Sequence, residues 1–361
     1  MNLNVLVLPG DGIGPEVTRE AVRVLRHVAD KWRHHLRITE GLLGGIAIHK
    51  TSSPFPDETA RLAEDADATL MGAVGLPEFD DCPPERRPEK GLLAIRKALG
   101  VFANLRPVRA FAALLDSSPL KNALVEGTDM LIVRELTGGI YYGTPRGITE
   151  AGGETRAVNT MTYTRAEIER VSHVAFRLAR GRRHKVTSVD KSNVLENSQL
   201  WRRVVSELAA GYPDVTLDHL LVDNCAMQLI LNPRRFDVVL TENMFGDILS
   251  DEGAVLAGSI GMLPSASLGG RKASGAWVGL YEPVHGSAPD IAGQNKANPL
   301  GAIGSVAALL EYSFGLREEA AAVNSAIEVV LGSGTVTSDL KPTGAPATTE
   351  QVGQAVCAAI G

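Results

Sequence analysis

The sequence predicts an α/β protein built around a largely parallel sheet, and two observations carry that reading. Short apolar runs alternate along the chain with longer amphipathic stretches, which is the pattern of repeated strand–helix units. The 361 residues exceed one compact core and are ample for two domains, and 44% hydrophobic with 22% charged residues is a globular balance. A net charge of −6 gives no electrostatic footprint for nucleic acid or an anionic lipid surface. Cys82, Cys225 and Cys357 lie far apart without a CxxC pair, which argues against a disulfide framework or a zinc site. No apolar run nears the roughly 20 residues that cross a bilayer. A soluble, cytoplasmic protein is expected.

The elements follow in chain order. Residues 5–8 read as a buried strand that stops at Pro9-Gly10, and a helix begins at about Pro15, where proline suits a first helical turn. Residues 68–72 are the next strand candidate, and residues 91–99 read as a helix. Strands are expected at 130–133, 185–189 and 238–241, separated by helical patterns at 166–179, 198–209 and 245–257. Residues 138–163, rich in Gly, Thr and Tyr, have weak helix propensity and are expected to form a β-ribbon or arm.

The common catalytic signatures are absent. Gly10-Asp11-Gly12-Ile13-Gly14-Pro15 follows a strand, but Pro15 stands where a dinucleotide fingerprint needs glycine. A tight strand-to-helix turn accounts for it better than a pyrophosphate cradle. The chain has no Gly-Lys dipeptide for a P-loop, no HExxH and no GxSxG.

Less generic groupings remain. Arg96, Arg106 and Arg134 are each expected to be ordinary surface residues if taken singly; converging, they would form forked clamps for a substrate with more than one carboxylate. Asp247 and Asp251, four apart, share a helix face. One of them fits a role at the helix start, whereas the pair is better explained by a hard cation such as Mg²⁺ or Mn²⁺, with Asp223 as a third ligand. Lys191 follows a strand, where partial loss of hydration would lower its pKa; a surface ion pair is the alternative. Tyr141 is either a proton donor or a packing residue of the ribbon. The stretch 282–293, with Asn298 beyond it, is either a phosphate- or ribose-binding loop or an ordered surface loop.

Taken together these segments resemble the β-decarboxylating dehydrogenases, the isocitrate/isopropylmalate dehydrogenase family. The resemblance spans nearly the whole chain. It rests on residues 8–16 (LPGDGIGPE), 91–106 ending in FANLR, 133–143 (VRELTGGIYYG), 186–196 (VTSVDKSNVLE), 241–251, 261–267 (GMLPSAS) and 281–299. It implies a two-domain fold that is not a Rossmann fold and carries a protruding β arm. The nucleotide-binding domain would be residues 1–101 plus 253–361. The dimerisation and metal/substrate domain would be residues 102–252, with the arm around 138–163, and the active site would lie between the domains.

The resemblance also implies roles. Arg96, Arg106 and Arg134 would bind the carboxylates of a 3-substituted malate. Asp223, Asp247 and Asp251 would hold Mg²⁺ or Mn²⁺, while Tyr141 and Lys191 move protons. NAD would be bound by Glu282, His285, Gly286, Ser287, Ala288, Asp290, Ile291 and Asn298. His285 would lie near the adenine and Asp290 on the adenosine ribose, where its charge disfavours the 2′-phosphate of NADP. The chain would be a homodimer in which Lys191 and Asp223 reach the partner's site. Leu92 and Leu93 offer an apolar surface suited to an isopropyl group, and Glu89 would repel a third carboxylate. The implied reaction is hydride transfer from C2 followed by loss of CO₂, in leucine biosynthesis. Alternatives are the same chemistry on tartrate, D-malate or homoisocitrate, and a catalytically silent regulatory subunit; the last expects losses among the metal acids, Lys191 or Tyr141, and all are present. The chain departs from the family pattern at Leu76, after Gly75, and at Val336 within Gly334-Thr335-Val336-Thr337.

Overall fold

A computed structural model describes residues 1–83, 86–272 and 276–361. The strands are β1 (Asn2–Gly10), β2 (His35–Glu40), β3 (Ala68–Ala73), β4 (Ala103–Arg109), β5 (Asp129–Glu135), β6 (Gly147–Ala151), β7 (Glu154–Val158), β8 (Lys185–Asp190), β9 (Thr216–Leu221), β10 (Val238–Thr241), β11 (Pro264–Arg271) and β12 (Trp277–Pro283). The helices are α1 (Gly14–Lys31), α2 (Gly45–Thr51), α3 (Asp57–Asp65), α4 (Glu89–Ala98), α5 (Asn122–Val125), α6 (Arg165–Arg180), α7 (Glu196–Ala209), α8 (Val222–Leu231), α9 (Asn243–Ala254), α10 (Leu300–Phe314), α11 (Arg317–Ser333) and α12 (Thr349–Ile360). Among the described residues, no helix is long and apolar enough to cross a membrane.

The chain divides into two compact units: residues 1–101, 111–119 and 257–361, and residues 102–110 with 120–256. Residues 111–119, which the resemblance assigns to the second domain, group with the first, where Ser117 Oγ donates to the carbonyl of Leu340 at 3.1 Å.

In the first unit the strand order is β2-β1-β3-β12-β11. β1 runs parallel to β2 and β3, and β3 runs parallel to β12. β11 and β12 are antiparallel, because the few residues joining them are too short for a crossover. One sheet face carries Leu6, Leu8, Met71 and Leu280 into a core closed by Leu43, Ala63 of α3 and Ile95 of α4. α10 packs on β11 and β12 and against α1 and α11.

The glycines of residues 8–16 serve the turn itself. Asp11 is buried, and its carboxylate accepts the backbone N–H groups of Gly45 (2.8 Å), Ile46 (2.8 Å) and Gly75 (2.9 Å), so it joins three segments. Gly12 has φ +57°, and a Cβ there would lie 2.0 Å from the carbonyl oxygen of Ser287, so only glycine fits.

In the second unit the order is β4-β5-β10-β8-β9. Only β4 against β5 is antiparallel. The sheet of each unit is thus largely parallel, as the alternation predicts, with one antiparallel pair. α6 and α7 pack together, as do α8 and α9. A capping box starts α6: Thr164 Oγ1 accepts from the Glu167 N–H while Glu167 accepts from the Thr164 N–H. The predicted helix over 245–257 starts earlier, at Asn243. The Glu242 carboxylate accepts the N–H groups of Phe245 (2.7 Å) and Met244 (3.0 Å), satisfying donors that the helix leaves free. Residues 138–163 contain the two-stranded hairpin β6–β7 with the short 3₁₀ turn Gly139–Tyr141 before it.

Candidate active site

The second unit gathers four of the predicted site residues around the carboxylate of a fifth, Asp247. Arg134, near the end of β5, is 4% exposed, and its guanidinium donates to Asp247 Oδ1 and, through Nε, to Asn243 Oδ1 at 2.9 Å. Its stem crosses α9 at Gly246, where a Cβ would meet Arg134 Cγ at 2.7 Å. Glycine there lets the arginine lie flat on the helix. Arg106, on β4, donates to Ser250 Oγ (2.5 Å), Asp251 Oδ1 (3.1 Å) and Asn104 Oδ1 (2.9 Å), and its guanidinium also lies 3.6 Å from Asp247 Oδ1. The Tyr141 hydroxyl donates to Asp247 Oδ2 at 3.1 Å. Burial and the adjacent Asp247 charge push the Tyr141 phenol up from its ordinary value. Two guanidinium groups, a phenol and two carboxylates one helical turn apart therefore share this surface.

The side chains of Asp247 and Asp251 remain 34% and 61% exposed, so their oxygens are open to a cation. Hard anionic oxygens of this kind suit Mg²⁺ or Mn²⁺. Among the described residues, no three His, Cys, Asp or Glu side chains of the chain converge as a metal site. Asp223 lies apart from the other two acids, in the first turn of α8, where it accepts from Lys191 Nζ at 2.7 Å. That hydrogen bond holds the Asp223 carboxyl below its usual range. Lys191 follows β8 and pairs with Asp223 rather than with Tyr141 or Asp247.

The first unit holds the remaining predicted residues. Arg96, on α4, donates to Glu282 Oε1 at 2.7 Å, and both side chains are largely buried. Arg96 Nε is buried without a hydrogen-bond partner, a donor left free for an anion. Glu89 and Leu93 are exposed on the same helix, while Leu92 is half-buried against the core. A Cβ on Gly75 would lie 3.3 Å from Glu89 Oε1 and 3.6 Å from Ser287 Oγ, so this helix start lies beside the loop after β12.

That loop is anchored at several points. The Ser287 carbonyl accepts the Ile13 N–H at 2.8 Å, and Glu16 accepts the N–H groups of Gly293 and, at 3.1 Å, Asn295. His285 Nδ1 contacts the Gly286 carbonyl at 2.9 Å, while Nε2 is buried without a partner. Burial holds the His285 pKa down, keeping the ring neutral. A buried, unpaired ring nitrogen fits a heteroaromatic base. Asn298 donates to Asp339 Oδ2 at 3.0 Å and accepts from the Leu300 N–H at 3.0 Å. Ala288 has φ +36°, and Ile291 donates its N–H to the Ala288 carbonyl. Gly286 and Asp290 are exposed. These positions fit a dinucleotide's adenosine end, with Asp290 open to accept from hydroxyl groups.

Residues 4–356 match the isocitrate/isopropylmalate dehydrogenase family. The chain belongs to that family. Among curated proteins, it is 58% identical over 343 residues to a 3-isopropylmalate dehydrogenase of Geobacillus kaustophilus, covering 95% of this chain and 91% of the relative. It is 54% identical to that of Bacillus subtilis over 361 residues, covering 100% and 98%. Among solved structures, an isocitrate dehydrogenase from Methylococcus capsulatus superposes with a TM-score of 0.87 at 32% identity, covering 99% of both chains. The resemblance expected from the sequence is thereby shown, and the fold is that of this family.

Within this cluster, sequence reasoning missed Asn243, Asn104 and Ser250, which hold Arg134 and Arg106. It also missed the pair Glu135 and Glu242, both in contact with the Tyr163 hydroxyl, at 3.3 and 3.2 Å. Their signal was in the chain: Asn243 and Ser250 flank Asp247 in the stretch read for metal acids, and Asn104 lies two residues before Arg106.

Proposed function

We propose that the chain catalyses the NAD-dependent oxidative decarboxylation of 3-isopropylmalate to 2-oxoisocaproate (4-methyl-2-oxopentanoate) and CO₂ in leucine biosynthesis. It does so with Mg²⁺ or Mn²⁺, as a homodimer with shared active sites. The observation that carries this is the grouping of Arg106, Arg134 and Tyr141 on Asp247, with Asp251 one turn away. The relatives named 3-isopropylmalate dehydrogenase, at 53–58% identity, support this substrate over that of the isocitrate dehydrogenase at 32%.

Arg96, Arg106 and Arg134 take the substrate's carboxylates as forked donors. Leu93, with the half-buried Leu92, faces the isopropyl group, and the exposed Glu89 repels the additional carboxylate of isocitrate. Asp247 and Asp251, with Asp223 of a second copy, would hold the divalent cation, which would supply Lewis acidity at the C2 oxygen, and a bound nicotinamide would supply the hydride acceptor. Lys191, as the neutral amine after its own proton has been released, accepts the hydroxyl proton. Tyr141, whose hydroxyl donates to Asp247 and is protonated near neutral pH as an ordinary phenol is, returns a proton to C3 after CO₂ departs.

The placement of Lys191 and Asp223 apart from Asp247 supports the view that this pair serves the partner's site. So do exposed apolar side chains on the packed helices α8 and α9, Met227, Leu231 and Ile248, and on the hairpin, Ile148. Such side chains favour burial against a second chain. The deciding experiment measures NADH formation with 3-isopropylmalate, D-malate, tartrate, homoisocitrate and isocitrate. Highest kcat/KM on 3-isopropylmalate is expected; a clear preference for another member overturns the substrate assignment.

A further inference from the structure

Asn243 opens α9 and is 1% exposed, and its amide oxygen and both amide N–H groups are engaged by neighbours at the site. Oδ1 accepts from Arg134 Nε at 2.9 Å. Nδ2 donates to the carbonyls of Leu136 at 3.2 Å and Gly138 at 3.0 Å. Leu136 and Gly138 belong to the stretch that leaves β5 and enters the 3₁₀ turn carrying Tyr141. The Asn243 N–H donates to the Tyr163 hydroxyl at 3.0 Å, which pins the start of α9 from the other side. One turn along that helix stands Asp247, in contact with both Arg134 and Tyr141.

A primary amide offers one acceptor oxygen and two N–H donors, and this site uses all three in one orientation. A carboxylate of the same shape would keep the acceptor for Arg134 but set oxygen against two carbonyl oxygens. A hydrocarbon would take away the acceptor that Asn243 offers Arg134 Nε and the donors that it offers two carbonyls, in a buried place. The site therefore requires an amide.

We infer that Asn243 is a positioning residue for the proposed reaction, acting by holding the Tyr141 turn and the Arg134 guanidinium in register with Asp247. The inference rests on the assignment of Tyr141 as proton donor and goes beyond it. It places the control of Tyr141's position in an amide that need not touch the substrate.

The test is a double-mutant cycle of Asn243→Asp with Tyr141→Phe, reading kcat and KM for a 3-alkylmalate together with the melting transition. Tyr141→Phe alone should lower kcat by about 10²–10⁴-fold. Asn243→Asp alone should lower kcat by about 10²-fold, the scale of a small misplacement of a catalytic group, with KM nearly unchanged because Arg134 keeps its acceptor. In the Tyr141→Phe background, Asn243→Asp should cost less than about threefold, since residues that act through one another are not additive. An equal loss in both backgrounds overturns the inference, because damage of a general structural kind does not depend on the phenol. An unchanged kcat in Tyr141→Phe overturns the proton-donor assignment, and the inference with it, and is recognisable from that single variant. If Asn243→Asp shows no melting transition, the same cycle is run with Asn243→Ala, which also removes the Arg134 acceptor; its loss of kcat should then be at least about tenfold smaller in the Tyr141→Phe background than in the parent, and an equal loss in both again overturns the inference.

Discussion

Lys191 Nζ donates to Asp223 Oδ1 at 2.7 Å, joining the end of β8 to the first turn of α8. The side chains are 27% and 60% exposed, so the pair adds little to stability, as is usual for ion pairs in contact with water. Its interest is chemical. A proposed base and a proposed metal ligand are carried together, and neither contacts the Asp247 cluster of its own chain.

Lys191→Met should nearly abolish turnover while substrate still binds, because methionine keeps an unbranched side chain one atom shorter and removes its proton acceptor. General acid–base catalysis is typically worth about 10²–10⁴-fold. Steady-state kinetics and a direct binding measurement together test this; a loss of kcat under about tenfold would remove Lys191 from proton transfer.

Chelation should stop the reaction, and Mg²⁺ or Mn²⁺ should restore it. Asp247→Asn should raise the metal concentration needed, since a neutral amide replaces an anionic ligand. The same change weakens the ion pair with Arg134 and the hydrogen bond from Tyr141, so kcat should fall as well. Full activity in excess EDTA would rule out a site built on Asp223, Asp247 and Asp251.

Much of this was legible in the sequence, for physical reasons that mark where legibility stops. β1, β3, β5, β8 and β10 are short apolar runs bounded by polar or turn residues, which the pattern exposes directly. α10 was not read, because it is buried on nearly every side and shows no polar stripe for periodicity to detect. The antiparallel neighbours of β5 and β12 depend on pairing, which a local pattern does not encode. Within the site, the spacing of Asp247 and Asp251 placed both acids on one face of a helix, as the structure has them. No such spacing marks the ion pair between Arg96 and Glu282, 186 residues apart, since only the fold brings them together.

Glu135 and Glu242 both touch the Tyr163 hydroxyl, and burial pushes both carboxyls above their ordinary value. Glu135 also accepts from the N–H groups of Thr137 and Gly138 and faces Arg170, while Glu242 caps α9 near the charge of Arg134. Above the ordinary carboxylate value the unfolded chain has released protons that the folded chain still holds. Stability therefore falls as pH rises through that window, and Glu135→Gln, which cannot titrate, should show a shallower decline. Melting temperature against pH for the two proteins measures this; parallel curves would mean that Glu135 ionises alike in both states.

Asp290 governs the last expectation. It is exposed, and its carbonyl accepts from Gln294 Nε2 at 2.7 Å while Glu16 anchors the loop beyond it at Gly293 and Asn295. A substitution at this position should therefore spare the fold. In the proposed site the carboxylate accepts from the adenosine ribose and repels the 2′-phosphate of NADP, so selectivity has an attractive and a repulsive part. Asp290→Lys paired with Ile291→Tyr should reverse both, because lysine pairs with phosphate and tyrosine adds a hydroxyl. The NAD side should lose about 1–3 kcal/mol, the usual value of hydrogen bonds to a charged acceptor. The measurement is kcat/KM with each cofactor, in the parent chain and in the double variant. A parent that already uses both cofactors equally, or a ratio that does not move, would mean that selection is made elsewhere than at Asp290.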